Sequence, residues 1–421
     1  MLQRLGFPDV GRHRRFVSAL GIDALGGGIW MPLSMLYFLR QTDLTLVELG
    51  LVMTVANLAV TPLVPYVGRL VDRVGPKSVM QSGNVIQAAS FAAYPFVDSM
   101  LTVGIALGVS TVGRTMFWGS NGPLITQITQ PGEREQWFGF VQAMRNAGMG
   151  VGGLLAGLAL SIGTDAAYDA VVIANAASFV VAFLFMTGVT AGGRPEIKPG
   201  STGGRGLVLR DRGYRWLVLA VFGYALTEMT LNVAMPVYFA DLLGLPAWVP
   251  GAVFVINTVM IGLGQGLVVR SMTGAIRVRV VLLAITFTAS SFVLMYAADA
   301  VSIGLGTAVV LIAAVIYTIG ELMAGPVLGA LSAEAAPDEH RGRYMSVVQL
   351  AWNISGAVAP LLYATLLDGG SLAIWGGAIV LCGLWAAVSL RMAALLPRAQ
   401  ERVTNAVEAA AEDPAEAAPP V

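Results

Sequence analysis

Long apolar runs, interrupted by short polar segments, dominate the chain. A helix needs about 20 mostly apolar residues to cross a bilayer, and a search at that length predicts twelve spans. Their approximate bounds are 16–39, 46–67, 77–97, 101–128, 137–162, 167–190, 214–240, 247–269, 278–298, 301–332, 343–367 and 371–394. The pattern therefore predicts an all-α membrane protein with twelve transmembrane helices.

The basic residues fall on one side of these spans. Of 25 Lys and Arg, 22 lie in the terminal segments or in alternate loops, while Arg40 lies on the other side and Arg114 and Arg145 lie inside spans. Lys and Arg accumulate in cytoplasmic loops. We therefore predict a multi-pass protein of the inner (cytoplasmic) membrane with both termini in the cytoplasm.

The two halves of the chain repeat each other. Met31-Pro32 corresponds to Met235-Pro236, and Gly122-Pro123 corresponds to Gly325-Pro326, in the same order and at nearly one spacing. Such a repeat indicates two pseudo-symmetric six-helix halves. The predicted divisions are the N-terminal half 1–190, a flexible cytoplasmic linker 191–213, the C-terminal half 214–396 and a disordered cytoplasmic tail 397–421.

Composition narrows the function class. The chain has zero net charge, which argues against a nucleic-acid partner. Cys382 is the single cysteine and the two histidines lie in predicted loops, so we expect no disulfide framework and no metal site. No phosphate-binding loop or catalytic constellation appears. We therefore expect no enzyme activity, no direct use of ATP and no cofactor.

A charged stretch, residues 68–77 (GRLVDRVGPK), separates the second and third spans. Gly68 and Gly75 suit a tight helix–loop–helix corner, and Asp72 can bind a cation or a helix N-terminus. Together with Arg73 and Lys77 these residues resemble the signature loop of the major facilitator superfamily, although Pro76 replaces a usually basic residue.

The resemblance has several implications. It implies two six-helix halves with a substrate site between them, a cavity lined by spans one, four, seven and ten, and a monomer. It also implies that Asp72 closes the cytoplasmic side against the start of span eleven, near residues 341–345.

Five ionisable residues lie within the spans: Asp23, Arg114, Arg145, Glu228 and Glu321. Such residues are costly in a membrane and are functional candidates by default. A carboxyl group in a low dielectric can hold a proton at physiological pH. We therefore assign proton coupling to Glu228, Glu321 and Asp23, with Arg114 as the partner charge. The alternative is a structural ion pair that locks helices together.

Polar and aromatic neighbours extend this assignment. Side chains one helical turn apart share a face, so we predict a substrate-binding set that consists of Arg114, Trp118, Asn121, Tyr224, Asn232 and Tyr317. Asp23 and Arg145 lie about two turns from the cytoplasmic end of their spans and could form a structural or gating pair.

Span five carries a glycine-rich motif. Arg145, Gly148 and Gly152 resemble the span-five signature of proton-driven exporters in the same superfamily, with Gly152-Gly153 where that signature has Gly-Pro. The alternative interpretation is a small-residue face for close helix packing.

We therefore predict a proton-coupled secondary transporter that exports small amphipathic or drug-like molecules by alternating access. Its partners would be the substrate, protons and membrane lipid. Three alternatives stay open: a proton-coupled importer of peptides or other nutrients, an uncoupled facilitator, and an enzyme or receptor on the same scaffold.

Overall fold

A computed structural model describes residues 7–162, 164–190, 207–246, 248–397 and 400–403. Twelve long helical segments account for most of these residues, each at the place of one predicted span. They are α1 (Arg14–Gln41), α2 (Leu46–Val60 and Val64–Val74, joined by the turn Thr61–Leu63), α3 (Pro76–Ala93), α4 (Met100–Ile128), α5 (Arg134–Ile162), α6 (Asp165–Thr187), α7 (Arg212–Leu242), α8 (Val249–Ser271), α9 (Arg277–Ala297), α10 (Ile303–Glu334), α11 (Arg341–Asp368) and α12 (Gly370–Ala393).

The predicted all-α membrane architecture is confirmed. Within the described residues, nine helices are long and apolar enough to cross a membrane, or ten if both parts of α1, bent by 56° near residues 31–32, count as one span. The remaining two, α3 and α5, are more polar. In α3 the amides Asn84 and Gln87 contribute to this polarity, and both are buried within the bundle. Most of the predicted linker and tail lies outside the described residues.

Local chemistry sets the helix ends. Thr45 and Glu48 form a reciprocal capping box at the start of α2, and Ser99 and Thr102 form another at the start of α4. Between α2 and α3, Gly75 has φ +87°, as the predicted tight corner requires, and Pro76 starts the next helix.

Glycines bring α1 and α5 close together. A Cβ on Gly148 would lie 2.5 Å from Cβ of Ala24, and one on Gly152 would lie 2.6 Å from the carbonyl carbon of Gly28. No larger side chain fits at either position without a backbone shift. Gly148 and Gly152 of the span-five motif therefore form a close-packing face between two helices of the N-terminal half.

Helix α7 is irregular in its second half. Two π-helical turns, Thr230–Ala234 and Tyr238–Leu242, flank the short stretch Met235–Val237. Pro236 has no backbone N–H and clashes with the preceding turn, so the helix cannot keep its regular hydrogen bonds there.

The N-terminal half (α1–α6) and the C-terminal half (α7–α12) meet at one end of the bundle, which we call the closed end. The end of α2 contacts the start of α11, and the start of α5 contacts α8 and α10. Apolar contacts contribute there, since Gly329 on α10 packs against Phe138 on α5.

Candidate functional site

The signature loop joins the halves at the closed end. Asp72 is buried and accepts a 2.6 Å hydrogen bond from the backbone N–H of Gly342, in the first turn of α11. Its other oxygen lies 3.2 Å from Nε of Arg343. A carboxylate is favoured at a helix N-terminus because the free N–H groups there carry positive partial charge. The predicted contact between Asp72 and the start of span eleven is therefore present.

Glycines make this contact possible. A Cβ on Gly68 would lie 2.5 Å from Oγ of Ser346 and 2.6 Å from the carbonyl oxygen of Gly342. A Cβ on Gly342 would lie 2.5 Å from Asp72. Helices α2 and α11 can therefore approach closely only because both positions lack a side chain.

The other residues of the loop act within the N-terminal half or face solvent. Lys77 donates to the carbonyl oxygens of Thr187 (2.9 Å) and Val189 (2.7 Å), at and beyond the end of α6. A lysine there satisfies carbonyl groups that have no partner within the helix. Arg73 is exposed.

A second set of ion pairs crosses between the halves at the closed end. Arg277 on α9 binds Glu135 at the start of α5, and it donates from Nη1 to Glu334 on α10 at 2.7 Å. Arg134 lies 3.8 Å from the same glutamate. Both Arg277 and Glu135 are buried. The sequence did not reveal this cluster, because each member appeared only as a loop charge.

Deeper in the bundle, Glu321 on α10 is held by amides from two other helices. Asn257 on α8 donates to Oε2 of Glu321 at 2.6 Å and to Oγ1 of Thr318 at 3.2 Å. Gln142 on α5 donates to Oε1 at 3.3 Å. Since Gln142 belongs to the N-terminal half, this bond joins the halves directly at a buried carboxyl group.

The other candidate acid, Glu228 on α7, lies in the same cluster. Its carboxyl group is half-buried and interacts with Glu321, with Tyr224 and with Arg145 on α5. Arg145 lies 11 residues beyond the start of α5, which is roughly 16 Å along the helix. Its distance from the start of the helix is larger than predicted, because α5 begins three residues earlier than the predicted span.

Arg145 also faces the N-terminal half. Its guanidinium lies 5.0 Å from the centre of the Trp118 ring, in a cation–π contact. Asp23 and Trp118 line a small cavity of about 20 Å³ with Arg145, roughly the space of one water molecule. Arg145 thus interacts electrostatically with Asp23 in its own half and with Glu228 and Glu321 in the other half.

The structure differs from the prediction at Arg114. We expected this residue to be the partner charge of the glutamates. It instead donates from Nη2 to Oδ1 of Asn57 on α2 at 2.9 Å and interacts with Tyr94. Depth along a helix does not reveal the direction in which a side chain points, and Arg145 occupies the predicted place.

The remaining predicted residues have varied surroundings. Tyr317 is buried and donates to the backbone carbonyl of Thr227 at 2.9 Å, which ties α10 to α7. Asn121 is buried on α4. Asn232 is exposed, and its amide donates to the carbonyl of Glu228 at 3.4 Å.

Two contacts of Glu321 escaped the sequence analysis. Gln142 and Asn257 are uncharged, and a search limited to ionisable residues in spans passes over them. Both are amides inside an apolar run, however, and a buried amide needs a hydrogen-bond partner. Uncharged polar residues within the predicted spans therefore also indicate buried polar contacts.

Comparison with known proteins agrees with this architecture. The sequence model of the Major Facilitator Superfamily matches residues 16–360 and 218–419. The chain is 25% identical over 359 residues to a multidrug resistance protein MdtH of Klebsiella pneumoniae (strain 342), covering 82% of this chain and 84% of that protein. It is 26% identical over 344 residues to MdtH of Edwardsiella ictaluri (strain 93-146), covering 79% and 81%.

Solved structures share the fold. A bacterial homologue of the iron transporter ferroportin, in an outward-facing state, superposes with a TM-score of 0.74 at 13% identity, covering 91% of this chain and 99% of that one. The transporter FucP in the outward conformation gives a TM-score of 0.73 at 14% identity, covering 91% and 98%. With the family match over most of its length, the chain belongs to the Major Facilitator Superfamily and is a multi-pass membrane transporter.

Proposed function

We propose that the protein exports amphipathic, drug-like molecules across the bacterial inner membrane in exchange for protons. The observation that carries this proposal is the contact between the halves at Glu321, where Gln142 of one half donates to the carboxyl group of the other at 3.3 Å, together with the electrostatic interaction of Arg145 with Glu228 and Glu321. The proposed export of drugs is supported by the likeness to proteins named for multidrug resistance.

Charge balance is the first step of the argument. Asp23, Glu228 and Glu321 would carry three negative charges against the one positive charge of Arg145. Unbalanced charge in a membrane interior is expensive, and bound protons or a cationic substrate relieve it. The cluster is therefore suited to exchange one for the other.

The second step is the effect of protonation on the attraction between the two halves. While Glu228 and Glu321 are ionised, they attract Arg145 across the interface and favour contact between the halves at that depth. Protonation removes the attraction and leaves Asp23, in the same half, as the partner of Arg145. Proton binding would thus change the balance between the two facings of the transporter.

The proposal also includes the orientation of the protein in the membrane, its energy source and its oligomeric state. The closed end is the cytoplasmic one, because that side carries the Lys and Arg excess, and both termini are in the cytoplasm. The proton gradient is the only energy source and no cofactor takes part. The protein works as a monomer in contact with lipid.

The test uses purified protein in proteoliposomes with an imposed pH gradient. Lipophilic cations and neutral drugs are added in turn while a pH-sensitive dye is followed. We expect substrate-induced proton movement opposite to the substrate, which Glu228→Gln and Glu321→Gln abolish and the exposed control Asp241→Asn preserves. Proton movement with the substrate would instead establish an importer. Transport without a proton response would leave an uncoupled facilitator.

A further inference from the structure

The last described residues, 400–403, lie against the loop between α8 and α9. The backbone N–H of Gly274 donates to the carbonyl of Val403 at 2.8 Å, and the N–H of Val403 donates to Ala275 at 2.9 Å. The N–H of Arg277 donates to Glu401 at 2.8 Å, and Ile276 and Arg402 form an antiparallel bridge. We call residues 400–403 the C-terminal strap.

Side chains strengthen this contact. Nε2 of Gln400 donates to the backbone carbonyl of Glu334 at 3.1 Å, and Nη1 of Arg402 donates to Gly274 at 2.8 Å. The side chain of Val403 is 1% exposed and belongs to the apolar core of the C-terminal half. The strap is therefore attached through its backbone, its polar side chains and an apolar anchor.

The strap also completes the surroundings of a residue that joins the two halves. Nη1 of Arg277 donates to the carbonyl of Gln400 at 3.0 Å, while the same side chain binds Glu334 and, across the interface, Glu135. A buried guanidinium without acceptors for its N–H groups is costly. Removing the strap would leave Nη1 with one acceptor fewer and uncover the ion pairs.

The N-terminal half has a related arrangement. Lys77, at the start of α3, donates to carbonyl groups at and after the end of α6. Arg277, at the start of α9, donates to a carbonyl group after the end of α12. In both halves a basic residue at the start of the third helix therefore holds the chain that follows the sixth helix. Of these two residues, Arg277 also reaches the opposite half.

We propose that the loop 274–277 is a docking edge for the C-terminal strap, and that the docked strap keeps the closed end shut by fixing Arg277 against Glu135. The strap thus regulates how often the halves separate at this end. The proposal is independent of the substrate and of proton coupling.

The test compares two truncations of the full chain, one ending at Pro397 and one ending at Val403. Both carry spin labels at Ser78→Cys and Ser271→Cys, exposed positions near the closed end in opposite halves, with Cys382→Ala. The distance between the labels is measured in detergent and in lipid. For the chain ending at Pro397 we expect a longer-distance population, with the open-to-closed ratio raised about tenfold, because Arg277 is no longer held against Glu135 and the charge-assisted bond between the halves weakens.

The chain ending at Val403 should match the full-length protein, and Glu135→Gln should open the closed end with the strap still present. Identical distance distributions for the two truncations would overturn the proposal. If the shorter chain aggregates, the double variant Gln400→Ala, Val403→Asp replaces it. The control is then Glu401→Gln, which changes an exposed side chain of the strap. Equal distributions for that pair would overturn the proposal in the same way.

Discussion

At the scale of single residues, two arginines in the spans have different surroundings. Arg145 faces three carboxyl groups and the Trp118 ring, whereas Arg114 is hydrogen-bonded to Asn57. If Arg145 balances the charge of the acids, its neutralisation should disable transport far more than neutralisation of Arg114.

We therefore expect Arg145→Gln to reduce the initial rate of proton-driven transport in proteoliposomes by at least about tenfold, since it leaves the carboxyl groups within the spans without their cation. Arg114→Gln should reduce the rate by less than about fivefold, because it removes one hydrogen bond. The rates are measured from about pH 5.5 to about pH 8.5, where Arg145→Gln should also change the shape of the profile. Equal losses in the two variants would contradict this assignment.

The sequence predicted some residues of the site and not others. The contact of Asp72 was predictable because the loop resembles the superfamily signature, and that resemblance implies the start of span eleven as its partner. The pairing of Arg145 was not, because it depends on the rotation of α5 about its own axis. Gln142 and Asn257 stand out as amides within apolar runs, but their shared contact with Glu321 joins helices distant in sequence, and no local pattern encodes that pairing.

At the scale of helices, the packing of α1 on α5 depends on glycine. Gly148 and Gly152 contact α1, whereas a Cβ on Gly153, in the same helix, would meet no atom within 4 Å. The helix therefore offers a matched pair of substitutions that differ in packing but have the same effect on helix propensity.

Gly148→Ala should lower the free energy of unfolding by about 2 kcal/mol, since a methyl group would overlap Ala24 and force the helices apart. Gly153→Ala should leave it unchanged or raise it slightly, because alanine favours the helix. The measurement is the thermal midpoint of the purified protein in one detergent. A lower midpoint for Gly153→Ala than for Gly148→Ala would refute the packing role.

Helix positions followed from hydropathy because apolar runs of membrane length are hard to mistake. The irregular turns within the helices could not be predicted from hydropathy. A proline in an apolar run permits a kink, a break or a π turn, and the choice made in α7 depends on the helices packed around it.

At the scale of the whole molecule, orientation rests on the distribution of Lys and Arg. The prediction is that Asp43 faces the outside and Ser78 the cytoplasm, since Asp43 follows span one and Ser78 lies at the start of span three, on the opposite side. The single native thiol, Cys382, is buried, so an introduced cysteine would be the accessible one.

In intact cells, a membrane-impermeant maleimide should label Asp43→Cys and not Ser78→Cys. Permeabilised cells should show labelling of both variants. Labelling of Ser78→Cys alone in intact cells would invert the topology and the proposed direction of closure.

The relation between the halves could not be predicted from sequence. A repeat indicates that two similar bodies exist, and the signature loop indicates where they can touch. The end at which they meet depends on the sum of many weak contacts between the halves, among them the pairs of Asp72 and of Arg277.

The irregular stretches of α1 and α7 have a mechanical consequence. Both occur at the repeated Met-Pro sequence, where α1 bends by 56° and α7 has π turns. The first helix of each half can thus bend at its Met-Pro sequence, which lies away from the closed end. We expect the ends of α1 and α7 that lie beyond the Met-Pro sequences to bend while the rest of both six-helix halves keeps its position. Label distances between those two helix ends would then vary without any change at the closed end.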